Sequence, residues 1–151
     1  MRMGLAPRTR ILIADVPEVA ERLERVLKGH DLTLVHTTAE AMNVLKKRDD
    51  FGMVVLGVHF DESHMFALLS DIRTHARYKK VPVVCVAGLK SRVLSDLALE
   101  GLDHAVRAMQ ANGFLVLSKF PDDEKGNARI RRIIDHLILI NGDLHEVAAE
   151  H

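Results

Sequence analysis

Phe51-Gly52-Met53-Val54-Val55-Leu56-Gly57-Val58-His59 decides the fold. From Met53 to Val58 it is nearly continuously apolar and rich in Val and Leu, the pattern of a strand covered by helices on both faces. Such a strand lies in mid-sheet, and in open parallel sheets functional groups collect beyond the carboxyl ends of the strands. Gly57, Val58, His59, Phe60 and Asp61 fall at that end, so the position facing the pocket is a glycine.

Working outward, Arg10 to Asp15 reads as a first strand ending on a carboxylate. Pro17 then opens a helix whose inner row is Val19, Leu23, Val26 and Leu27, and Gly29 ends it. Leu32 to His36 is a short strand, and Thr37-Thr-Ala-Glu40 matches a capping box ahead of a helix with Ala41, Met42 and Leu45 inward. Beyond the central strand, the pattern predicts a helix over 63–77 and a strand over 81–87. A helical stretch follows from Arg92 to Met109, as two segments meeting at Gly101 with Val93, Leu94 and Leu97 among the inner residues. Asn112-Gly113 reads as its stop signal, Gly113 to Lys119 as a fifth strand, and Ala128 to Ile140 as a last helix capped by Asn141-Gly142. Five strands alternating with five helices predict a flavodoxin-like (βα)5 fold, a doubly wound parallel five-stranded sheet in a three-layer α/β/α sandwich. Residues 1–8 are expected to be a flexible leader, 9–141 the domain and 142–151 a tail.

Bulk composition narrows the function. With 151 residues, 48% of them hydrophobic, the chain can bury one genuine core. Lys plus Arg is 21 and Asp plus Glu is 21, so net charge gives no case for nucleic acid or an anionic membrane. No apolar run approaches the roughly 20 residues of a membrane span, and the first ten residues lack a signal-peptide core. The single cysteine, Cys85, sits inside an apolar run and reads as a buried thiol in a reducing compartment. These features together predict a cytoplasmic location.

The residues Ile11-Leu-Ile-Ala-Asp15-Val-Pro-Glu18, Met53 to Val58, Val81-Pro-Val-Val-Cys-Val-Ala87 and Leu117-Ser-Lys119-Phe-Pro121 resemble the receiver domain of bacterial response regulators, over roughly residues 9–140. In that family an acidic pair ends the first strand, a phosphoacceptor aspartate the third, a Thr or Ser the fourth and a lysine the fifth. The positions match while most of the chemistry is absent. Asp15 keeps one acid but Val16 replaces the other, Gly57 stands at the phosphoacceptor position, Ala87 at the hydroxyl position, and Lys119 matches the lysine. Val116 corresponds to a position that is often aromatic, and the interval from Ala87 to Lys119 is longer than usual. The resemblance therefore implies a degenerate, phosphorylation-independent signalling module that is not an enzyme, with His59 on the rim of the altered cleft.

The chemistry supports the same expectation. Phosphoryl transfer to a carboxylate needs a nucleophile and Mg²⁺, and Mg²⁺ is held by carboxylates, water and substrate oxygens. With one matched carboxylate, Mg²⁺ binding is predicted weak or absent. Asp15 and Lys119 balance in charge and are expected to form a direct or water-bridged pair closing the cleft.

Other motifs read as structural. His36 and His59 with Asp15 or Asp61 would give a mixed N/O ligand set, but no metal-binding spacing supports it. Asp61 and Glu62 read as solvated acids at a helix start. Ser91, Ser95 and Ser118 lack a nucleophile elbow. Arg129, Arg131 and Arg132 read as a solvated face. The last helix is apolar over more than one stripe, so its excess would pack under Leu144 and Val147 or form an exposed patch; the resemblance implies the latter, with Val116, Ile134, Ile138 and Ile140 as a face for a protein partner of a signalling pathway or a self-dimer. A different reading has the altered cleft bind a small ligand through Asp15, Lys119 and the space at Gly57.

Overall fold

The computed structural model describes residues 6–88 and 93–150, with side chains described as far as Asn141. Most of the expected leader, Ser91, Arg92 and the side chains of the expected tail lie outside the described residues. The chain runs β1 (Arg10–Ala14), α1 (Pro17–Val26), β2 (Asp31–Val35), α2 (Thr38–Lys47), β3 (Phe51–Gly57), α3 (Met65–Thr74), β4 (Val83–Ala87), α4 (Asp96–Ala108), β5 (Gly113–Val116), a 3-10 turn (Leu117–Lys119) and α5 (Glu124–Glu150). The strands form one sheet in the order β2-β1-β3-β4-β5, every neighbouring pair parallel. This is the expected flavodoxin-like (βα)5 sandwich. Among the described residues no helix is long and apolar enough to cross a membrane.

Strand alternation divides the core into two layers. Ile11, Ile13, Met53, Val55, Val84 and Val86 face α1 and α5, while Leu12, Ala14, Val54, Leu56, Val83 and Cys85 face α2, α3 and α4. β3 is buried along nearly its whole length, as its unbroken apolar run requires. Burial pushes the Cys85 thiol up to about 12, so it serves as a small core side chain and not a reactive thiolate.

The helix starts follow local chemistry. Pro17 opens α1, and the Thr37–Glu40 capping box opens α2 in both of its reciprocal hydrogen bonds. α5 begins earlier than the apolar pattern suggests, because the Asp123 carboxylate accepts the Gly126 N–H at 2.7 Å and supplies the cap. It does not stop at Asn141-Gly142. The Asn141 amide donates back to the Leu137 carbonyl at 2.7 Å and accepts from Asn112 Nδ2 at 3.1 Å, so it sits within the helix instead of ending it.

Three other boundaries are corrected. α3 starts at Met65 because Asp61, Glu62 and Ser63 take φ of 45°, 55° and 71°, left-handed values that no right-handed helix contains. α4 is one helix through Gly101, started by Ser95, whose Oγ accepts the Ala98 N–H. A mid-helix glycine costs about 1 kcal/mol without breaking the helix. Since the phase is continuous, Val106 is the buried residue and Leu97 is 79% exposed; Val93, just before the helix, is 83% exposed. Finally, β5 ends at Val116, and the chain turns over Leu117–Lys119.

A buried polar relay docks α5 onto the amino-terminal end of the sheet. The Thr9 N–H donates to His30 Nδ1 at 3.0 Å, which leaves the proton on Nε2 to donate to Asp135 Oδ1 at 2.9 Å. Asp135 Oδ2 accepts from Arg131 Nε at 3.1 Å, and the same guanidinium donates to the carbonyls of Lys28 and Val26. The His30 and Asp135 side chains are 1% and 0% exposed. Arg131 is thus part of the frame, not of a solvated face.

Candidate functional site

Asp15 ends β1 with its side chain turned inward, and the residue is only 2% exposed. Oδ1 accepts the Val16 N–H at 2.7 Å, while Oδ2 is buried with no hydrogen-bond partner. Burial raises the Asp15 pKa to about 7 against the smaller opposing effect of the Val16 amide. The carboxyl group lies over Gly57. A Cβ built on Gly57 would stand 1.9 Å from Asp15 Oδ1, 2.0 Å from Cγ and 2.2 Å from Oδ2. The volume that a side chain at 57 would need is therefore filled by the side chain of Asp15.

The other predicted cleft residues lie at the same carboxyl end of the sheet, and Val16 joins Asp15 through its backbone N–H. Val16 precedes the first residue of α1 and packs against the α1/α5 layer. Ala87 ends β4 beside Val116 and is 7% exposed. His59 is half-buried on the turn that follows β3. His36 Nδ1 lies 2.9 Å from the Asp15 carbonyl oxygen and donates to it, which engages that ring nitrogen with the backbone. The Asp61 carboxylate reaches α2 instead of α3: it accepts from the Thr38 N–H at 2.8 Å and from Thr38 Oγ1 at 2.9 Å, and these bonds lower its pKa. The helix-start attraction expected for it is real, but the helix is the preceding one.

The expected Asp15–Lys119 pair is not formed. Lys119 is exposed, and among the described residues it joins no ion pair with Asp15. The cause is the 3-10 turn. Strand alternation puts Gly113, Leu115 and Leu117 on one side, and an extended β5 would have carried Lys119 to that side too. In the structure the inward residue is Leu117, 2% exposed and packed so closely on Gly88 that a Cβ there would meet its Cδ1 at 2.8 Å.

Arg22 of α1 holds the turn in place. Its guanidinium donates to the carbonyls of Leu117 (3.1 Å), Phe120 (2.8 Å) and Pro121 (3.0 Å) and to Asn127 Oδ1 (3.0 Å). Nothing in the apolar periodicity of α1 marks this residue, whose partners lie about a hundred positions downstream. Arg22→Ala is expected to lower stability by about 2 kcal/mol, because several bonds to a charged donor go at once. Arg22→Lys should recover little of it, since one ammonium cannot serve four separated acceptors. Urea unfolding of the two variants checks this, and full recovery by lysine would refute the clamp.

Lys119 instead lines an open groove of about 760 Å³ between α4 and the β5 edge. Asp96, Leu99, Glu100 and Asp103 line it from α4, together with Phe114, Val116, Lys119 and Arg129. Arg129 stacks over Phe120 at 5.2 Å. Of the four residues expected on an interaction face, Val116 lines this groove and Ile140 is 40% exposed. Ile134 and Ile138, at 0% and 8% exposure, face the sheet as core. The row at 130, 134 and 138 is the buried stripe of α5, a phase that the all-round apolar sequence of this helix conceals.

A hard divalent cation is held by carboxylates, water and substrate oxygens. Asp15 supplies one carboxylate, with one oxygen on the Val16 amide and the other enclosed over Gly57, and Asp61 is committed to Thr38. Among the described residues no cluster of three or more His, Cys, Asp or Glu side chains is placed to hold a metal.

No protein-family model matches the sequence, and a search of curated proteins finds no similar sequence. Solved structures do match the fold. A putative response regulator from Chloroflexus aurantiacus superposes with a TM-score of 0.64 at 21% identity, over 85% of this chain and 98% of that one. The cyanobacterial phytochrome response regulator RcpA, in its phosphorylated form, matches with a TM-score of 0.62 at 13% identity, over 85% and 90%. NtrX from Brucella abortus matches with a TM-score of 0.74 at 19% identity, over 96% of this chain and 30% of the NtrX chain.

Proposed function

We propose that this receiver-fold chain is a non-catalytic signalling module that works without phosphorylation, through contact with another protein. The observation that carries the proposal is the Asp15 carboxyl group lying in the side-chain volume of position 57. A receiver that takes phosphate needs a nucleophilic carboxylate at that strand end and electrophilic help beside it. Here the strand end is glycine, the Asp15 carboxyl group is buried over it, and the lysine is exposed. The space over Gly57 that the small-ligand alternative would use is filled by the Asp15 carboxyl group, which disfavours that alternative.

The groove that Lys119 lines is the surface best suited to a partner. It is open, and carboxylates, cations and apolar side chains line it together, the composition of a surface for protein association. Incubating the protein with a small phosphodonor and Mg²⁺, then measuring intact mass, tests the proposal. The mass is expected to stay unchanged, and a stable gain of one phosphoryl group would overturn it.

A further inference from the structure

The Asp15 carboxyl group has a property that the loss of phosphoryl chemistry does not explain. A buried carboxylate oxygen without a donor is unfavourable as an anion and acceptable as a neutral acid. Asp15 Oδ2 is such an oxygen, and the recess around it is a matched fit that any side chain at 57 would abolish. The other oxygen holds the Val16 N–H, and the Val16 carbonyl in turn accepts the N–H groups of Val19 at 3.1 Å and Ala20 at 3.0 Å. The carboxyl group is thus attached to the first turn of α1, the helix that carries Arg22 and its hold on the Leu117–Pro121 turn.

We propose that Asp15 is a proton-operated latch of the β1–α1 turn: as the neutral acid it is seated over Gly57, and as the carboxylate it leaves that seat for water. Departure exposes the recess and removes the fixed acceptor of the Val16 amide, so the start of α1 loosens.

The surrounding titratable groups do not supply a counter-charge. His36, from the end of β2, uses Nδ1 on the Asp15 carbonyl. His59 lies on the turn after β3, and Asp61 is taken up by Thr38. Glu40 of α2 accepts from the His36 and Thr37 amides, Glu18 of α1 is exposed, and Lys119 from the β5 side is exposed on the outer face. The causes that move the Asp15 pKa to about 7 are burial and the Val16 amide, with no charged side chain among them.

The test is an NMR titration of the full chain that follows the Asp15 carboxyl carbon and the Val16 amide from about pH 2.5 to 9, a range spanning both the free and the buried acid. Both signals are expected to move with one shared midpoint near neutrality, an acidity roughly a thousandfold weaker than that of a free aspartic acid. Amide protection at Val19 and Ala20 should fall over the same range. In Asp15→Asn the Val16 transition should vanish, whereas in His36→Gln it should persist. A carboxyl midpoint in the ordinary aspartate range would overturn the latch, even should Asp15→Asn fail to fold. So would a Val16 transition that survives Asp15→Asn or disappears in His36→Gln, because it would then belong to a histidine.

Discussion

Asp135→Ala is expected to cost roughly 3–5 kcal/mol, because two hydrogen bonds to a fully buried carboxylate, each worth about 1.5–3 kcal/mol, go at once. The loss is large because Asp135 serves two donors. Its removal leaves the His30 Nε2–H unpaired at a site where that side chain is 1% exposed, and releases Arg131 from a contact that also fixes the end of α1. His30 cannot turn its other nitrogen to the task, because Nδ1 is already the acceptor of the Thr9 N–H. Asp135→Asn should be milder, about 1–3 kcal/mol, since its amide oxygen still accepts from His30 while its NH₂ group meets Arg131 donor to donor. For a domain whose total stability is of order 5–15 kcal/mol, the alanine variant would lose a large share of it. Urea unfolding monitored by circular dichroism measures both, and equal midpoints for Asn and Ala would show that the relay to His30 contributes nothing.

That relay also marks where sequence reading reaches its limit. Strand and helix identities were legible because burial imposes periods on the chain: the unbroken run of β3, the three-to-four spacing of α1, and the Thr37–Glu40 box at α2 all predict the elements observed. Long-range polar pairings carry no period. His30 and Asp135 are 105 positions apart, as are Arg131 and its acceptor Val26, so Arg131 looked like one of three solvated arginines. The cleft shows the same divide. That Gly57, Val16 and Ala87 stand at or beside strand ends was legible in the sequence, and the resemblance to receiver domains implied which reactive groups they replace. That Lys119 faces outward was not, because a single 3-10 turn reverses the alternation on which its expected direction rested. Nor does charge balance between Asp15 and Lys119 supply geometry: the acid found a seat made by a missing side chain, and the lysine was turned away by an arginine on another helix.

Gly57→Ala is the sharper probe of that seat. A methyl group there overlaps the Asp15 carboxyl atoms at 1.9 to 2.2 Å, far inside contact distance, so Asp15 must leave the recess or the strands must part. Overfilling a packed site costs typically about 1–3 kcal/mol, and the upper part of that range is expected near pH 5, where Asp15 is the neutral acid that its surroundings accept. The sign of the pH dependence follows from the raised folded-state pKa of about 7 against an ordinary value of 3.8. Wild-type stability drawn from the seated acid is complete below the ordinary carboxylate range and is lost progressively as pH rises to about 7. Expelling Asp15 therefore forfeits less at pH 8 than at pH 5, and the penalty of Gly57→Ala should shrink with rising pH. In Asp15→Ala the methyl group at 57 has nothing to displace, so adding Gly57→Ala to that background should cost little, which gives a coupling energy of about 1–3 kcal/mol between the two positions. Urea denaturation of the four proteins at both pH values completes the cycle. Additive effects, or a Gly57→Ala penalty that grows with pH, would mean that the carboxyl group does not occupy the space over Gly57 in solution.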